Sequence, residues 1–212
     1  MDRIEKAICA EVMPPLRAQG FELNKKWGCF VREQPFGCDK FMIVNQGTAL
    51  GKFFEITAFP EIRHDRIEIP WNTLGMVYGD AQLETCTLVF GQPRGPASPM
   101  KVAPATMQED VETVAREIEA IFASRALLFY ERFADLVKLE AFANAKPLAD
   151  IAGYSLGLPL EHRAMRSLLL AKAVNPGRYP VVREAFVNSP QKTWFPREKC
   201  LDMLRRVDEM QV

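Results

Sequence analysis

Residues 91–105 read GQPRGPASPMKVAPA, with four prolines and two glycines in fifteen positions. No regular element is expected across such a stretch, because proline removes an amide donor and glycine leaves the backbone unconstrained. It marks a change of period. Between residue 21 and this stretch, apolar residues tend to recur every second position; after it they recur every three to four.

Upstream, Ile4, Ile8 and Val12 repeat every four residues and predict an amphipathic helix, which Pro14-Pro15 should interrupt. A short turn through LRAQG then ends at Gly20. FELNKKWGCFVRE (21–33) is expected as a strand, and QPFGCD (34–39) carries turn chemistry. KFMIVNQG (40–47) and KFFEITAF (52–59) are rich in β-branched and aromatic residues and predict neighbouring antiparallel strands. RIEIPW (66–71) alternates Ile67 and Ile69 against Arg66 and Glu68, and QLETCTLVF (82–90) makes a fifth strand.

Downstream, Thr106 and Glu109 match a capping box. Val111, Val114, Ile118, Ile121 and Phe122 follow on one helical face. Leu128, Phe129, Phe133, Leu136 and Val137 carry that stripe to about residue 144. EHRAMRSLLLAKA (161–173) forms another helix, stopped by Asn175-Pro176-Gly177, and two more follow at YPVVREAFV and REKCLDMLRRVDEM. Strands first and helices later give an α+β fold and argue against alternating βαβ units. The expected organisation is residues 1–105 as helix plus antiparallel sheet of about five strands, with the linker at 91–105. An α-helical region, 106–212, packs on that sheet as one compact unit.

Twenty-seven basic and twenty-seven acidic side chains cancel, against a nucleic-acid coat or an anionic-membrane binder. Five widely spaced cysteines without a CxxC pair fit reduced thiols, and the charged N-terminus lacks a signal peptide's apolar core. A cytoplasmic protein is the expectation. With only His64 and His162 available, and neither having a second ligand at helical spacing, no metal is expected. No cofactor is expected either, since phosphate-cradle and nucleophile-elbow motifs are missing. GQPRGP (91–96) is a weak phosphate signal because no helix start follows it directly.

The densest chemistry lies in FPEIRHDRIEIPW (59–71). Read as a hairpin tip, it projects Arg63, His64, Asp65 and Arg66 into solvent. Asp65 cannot easily orient His64 as a general base there, since adjacent strand residues point to opposite faces. Ion pairs across a solvated turn and a partner-recognition edge are the competing readings. Glu55 and Glu68 could face one another across strands as paired carboxylates, or simply decorate an open face. Trp71 and Trp194 are either lids over the core or exposed anchors of the kind that dominate interfaces.

AICAEVMPPLRAQGFELNKKWGCFVRE resembles a group of small bacterial α+β domains of unknown function, in which a helix ends in a leucine-to-Gly-Phe step and a strand closes on Phe-x-Arg. Leu16, Gly20, Phe21, Phe30 and Arg32 carry the match, and FFEITAFPEIR and IEAIFASRALLFYERFADL are similar to that group's sheet and following helix. The resemblance covers residues 5–140 and brings no catalytic residue. It implies an immunity-type protein that neutralises a toxin. The function expected is therefore non-enzymatic protein binding, the partner being a toxin domain whose active site is occluded. The contact set is Arg63, Arg66 and Trp71, with His64, Asp65, Glu55 and Glu68 beside them. Two alternatives stand: an enzyme with His64, Asp65 and Glu55 in a cleft between sheet and helices, or a helical adaptor using a groove in residues 160–210.

Overall fold

The computed structural model describes residues 3–47, 53–75, 85–90, 100–103, 106–148, 154–156, 160–189 and 195–212. The fold is α+β, with an N-terminal helix, an antiparallel sheet and a helical C-terminal half. The chain forms two compact units, Met1–Glu61 with Phe90–Tyr130 and Ile62–Val89 with Glu131–Val212. These units cut across the division drawn at residue 105, because each is assembled from two separated stretches.

In the first unit, helix α1 (Arg3–Ala18) runs straight through Pro14 and Pro15. The carbonyls that lose their donors belong to Ala10 and Glu11, both exposed, so water can take them. The apolar stripe therefore continues to Leu16, fully buried. Gly20 closes the helix with φ +82°, and the amide of Phe21 donates to Leu16 O at 3.1 Å.

The stretch 21–33 is a hairpin of two strands and not one. β1 (Glu22–Asn24) pairs antiparallel with β2 (Cys29–Gln34). Asn24 Oδ1 accepts from the amides of Lys26 and Trp27, both at 3.1 Å, and Gly28 takes φ +67°. β3 (Gly37–Asn45) pairs antiparallel with β2, and β4 (Phe54–His64) lies beside β3. β6 (Met100–Val102) pairs antiparallel with β4, so the stretch read as linker contains a strand. Residues 91–99 and 104–105, including GQPRGP, lie outside the described residues.

Helix α3 (Met107–Ile121) starts without the Thr106/Glu109 box. Asp110 Oδ2 instead accepts from the Thr106 hydroxyl at 2.7 Å and the Ala103 amide at 2.8 Å. Those bonds hold its carboxyl below the usual range. A π-turn (Phe122–Ala126) follows and leads into α4 (Leu127–Phe133). Phe122 packs edge-on against Phe21 and Phe41, with ring centres 5.3 and 5.1 Å away. The Tyr130 hydroxyl donates to Lys40 O at 2.6 Å. At the helix–strand corner turned by Gly20, Leu16, Phe21 and Phe30 are fully buried, while Arg32 holds Asp39 Oδ2 through Nε and Nη2 at 3.0 and 2.8 Å.

In the strand order β5 (Leu88–Phe90), whose first two residues belong to the second unit, stands between β4 and β7 (Tyr154–Ser155). The expected single helix to residue 144 breaks, because Asp135 caps a new one, α5 (Leu136–Ala143), by accepting from the Val137 amide at 2.8 Å. Val137, read as part of the apolar stripe, is exposed, as is Leu128 in the first unit. α6 (Leu160–Val174) runs through the middle, packed against α5, α7 (Tyr179–Val187) and α8 (Arg197–Glu209). Its residues from Leu160 to Ala171 are buried all round except His162. Residues 149–153, 157–159 and 190–194, Trp194 among them, lie outside the described residues.

Candidate functional site

The stretch 59–71 is neither a hairpin tip nor a strand pair. β4 continues through Pro60 to His64, and helix α2 (Asp65–Thr73) begins at once. His64 is extended, with φ −106° and ψ 112°, and Asp65 and Glu68 place negative charge in the first helical turn, where amide groups point outward. The alternation that suggested a strand is inverted by burial: Ile69 is 59% exposed and Glu68 fully buried. Ile67, Glu68, Trp71 and Asn72 form the inner face, at helical spacing. Arg206 of α8 donates to the carbonyls of Thr73 and Leu74, capping the other end.

Glu68 and Arg166 of α6 form a two-pronged ion pair inside this unit, Nε to Oε1 at 2.8 Å and Nη2 to Oε2 at 3.0 Å. Arg166 Nη1 donates to Leu156 O at 2.9 Å, and the guanidinium lies 3.8 Å from the centre of the Trp71 ring. His162 meets the same ring edge-on at 5.3 Å. Burial alone would raise the pKa of Glu68 and is the largest single influence. The charge and hydrogen bonds of Arg166, with the Thr85 hydroxyl and the Arg63 charge, outweigh it and hold the carboxyl below its usual value. Burial and then the Arg166 charge push His162 down, so its ring is held neutral.

Arg63 donates through Nε to Asp65 Oδ1 at 2.6 Å and through Nη1 to the Thr85 hydroxyl at 2.7 Å. The His64 amide donates to Thr87 Oγ1 at 2.9 Å. His64 Nε2 lies 2.8 Å from Phe133 O, which makes that nitrogen the protonated one. Arg66 donates to Ala173 O near the end of α6 at 2.9 Å. These side chains lock the entrance of α2 to α6 and to the 85–87 segment.

The expected contact set is thus mostly interior. Arg63, His64, Glu68 and Trp71 are all buried, Asp65 is half-buried, and Arg66 alone of the cluster is exposed. Trp71 is a core side chain and not an exposed anchor. Glu55 sits in the first unit on β4, opposite Lys101 of β6, and Glu68 is on a helix, so no cross-strand carboxylate pair forms. Asp65 turns to Arg63 and His64 to a backbone carbonyl, so the His64–Asp65 dyad is not made.

Sequence reasoning does not place His162 and Arg166 in this network, nor Glu161 and Arg163 beside them in the interior, Glu161 accepting from the Phe195 amide at 3.1 Å. Their signal was present: four ionisable residues within seven positions of a helix that is otherwise mostly apolar, which leaves them no solvated face to occupy.

Open space lies elsewhere in the second unit. A groove of about 430 Å³ is lined by Asn144, Ala145, Pro147, Asn175, Gly177, Arg178 and Val181, where α5 and α6 both end. Beneath it the buried Glu140 accepts from Asn144 Nδ2 at 3.2 Å and faces Arg178 Nη1 at 3.5 Å; Asn144 Nδ2 also donates to Ser167 O at 3.0 Å. Val181 is 56% exposed on its rim. The lining combines apolar surface with amide and guanidinium groups and carries no nucleophilic side chain.

Cys9, Cys29, Cys38 and Cys200 are buried free thiols, and burial, reinforced by the Glu5 charge, pushes Cys9 up to about 12. Among the described residues no group of three His, Cys, Asp or Glu side chains could hold a metal ion, and no helix is long and apolar enough to cross a membrane. No protein-family model, no curated protein and no solved structure matches this chain.

Proposed function

We propose that this protein is a non-enzymatic protein-binding module, and that it meets its partner at the groove between the ends of α5 and α6. The carrying observation is that groove: about 430 Å³, open, with Val181 and Pro147 beside Asn144, Asn175 and Arg178. Glu140 and Ser167 brace the walls from below, so part of the ordering cost of binding is met before a partner arrives. The charged cluster at 59–71 supports the reading from the other side, since a bidentate buried ion pair is suited to holding two helices and not to exchanging partners.

A photo-crosslinking residue at Val181 is expected to capture a protein in cells, while the same residue at the exposed Arg205 of α8 captures none. Equal capture at both sites, or none at either, removes the groove from consideration.

The toxin-neutralising role implied by the family resemblance is the narrower form of this proposal. It predicts that co-expression rescues growth against one toxin domain and that Val181→Asp abolishes the rescue while leaving the fold intact by circular dichroism. A helical-adaptor role is the second reading. It is favoured by exposed Val181, Val187 and Leu201 on α7 and α8, and predicts that Leu201→Asp is as damaging as Val181→Asp.

A further inference from the structure

A second, much smaller cavity lies inside the same unit. Its volume is about 10 Å³, and its walls include Leu88, Leu148 and Leu156 on the apolar side, with Ser155, Arg163 and Ser167 on the polar side. One water molecule needs roughly 10–15 Å³ of such volume and two to four polar partners. The lining is largely apolar, and Ser155, Arg163 and Ser167 are the residues that bring polar atoms to it.

The decisive group is Ser167. It sits in the middle of α6, is fully buried, and its Oγ has no hydrogen-bond partner among the described residues. Its carbonyl is already engaged by Asn144 Nδ2 at 3.0 Å, so the residue is held in place from the backbone side. A serine in mid-helix is a weaker helix former than alanine, and a buried hydroxyl left unpaired costs free energy in addition. A buried, unpartnered hydroxyl at the wall of a cavity of one-molecule size calls for a ligand that both donates and accepts.

We infer that this cavity is a binding site for a single structural water, held by the Ser167 hydroxyl and shared with the polar wall formed by Ser155 and Arg163. The water ties the middle of α6 to the β7 segment at Tyr154–Ser155. It accounts for a serine at a position where the surrounding α6 residues Leu168, Leu169 and Leu170 are all apolar and fully buried.

Two measurements test it on the full chain. A crystal structure is expected to show one ordered water about 2.7–3.2 Å from Ser167 Oγ. Density filled by a side chain, or no ordered water at that position, overturns the site. Ser167→Ala supplies the second arm through its sign. If the hydroxyl is bonded to water, its loss lowers Tm, by about 2–4 °C for each kcal/mol in a chain of this size. If the hydroxyl is orphaned, its removal and the better helix propensity of alanine leave Tm unchanged or raise it, and the proposal fails. Should the variant not fold, the crystallographic arm decides alone.

Discussion

At Glu68 the cost of burying a carboxylate meets the compensation offered by Arg166. Two short bonds, the stacking of the guanidinium on Trp71 and a further bond to Leu156 O leave the arginine satisfied on every side that the residues around it reach. A pair of this kind is weak evidence for net stability, because desolvation consumes most of the attraction. Breaking it is another matter. Arg166→Met should cost about 3–5 kcal/mol by leaving an uncompensated charge in the core, whereas Glu68→Leu combined with Arg166→Met should recover most of that loss. Chemical denaturation of the three proteins measures it, and equal destabilisation of single and double variants would show that the pair is not the origin of the effect. The residue types were legible in the sequence; that they form one buried network was not, since Glu68 and Arg166 are 98 positions apart.

Among the elements, α2 shows how a short apolar alternation misleads. Six residues of R-I-E-I-P-W satisfy a period of two, yet Ile67 and Trp71 are also one helical turn apart, and the side chains that packing selects are Ile67, Glu68, Trp71 and Asn72. An acid at Asp65 and another at Glu68, ahead of a buried tryptophan, were the helical signal. The break before α5 was legible in principle, because Asp135 stands just ahead of an apolar run. Asp135→Ala is expected to cost about 1 kcal/mol through the lost bond to the Val137 amide, read as a lower denaturation midpoint with unchanged slope. No change would mean that tertiary contacts alone hold the start of α5.

For the whole molecule, each compact unit needs two stretches of chain: α3 belongs with the sheet of residues 1–61, and 62–89 belongs with 131–212. Cutting at residue 105 therefore divides both units at once. Fragments 1–105 and 106–212 are each expected to lack cooperative unfolding and dispersed amide resonances, and to regain them when mixed, if at all, only as the pair. A cooperative thermal transition in either fragment alone would contradict this division.

By itself the sequence determined the class of fold, the amphipathic stripe of α1, the turn at Gly20, most of β3 and the first half of β4, and the helical character of the stretches beyond 106, because each is encoded by spacing within a dozen residues. Only tertiary structure decided that the charged stretch at 59–71 turns inward, that α1 survives two prolines, and that the groove at Asn144, Arg178 and Val181 exists. Burial depends on which distant segments arrive to cover a side chain, and no local period carries that information.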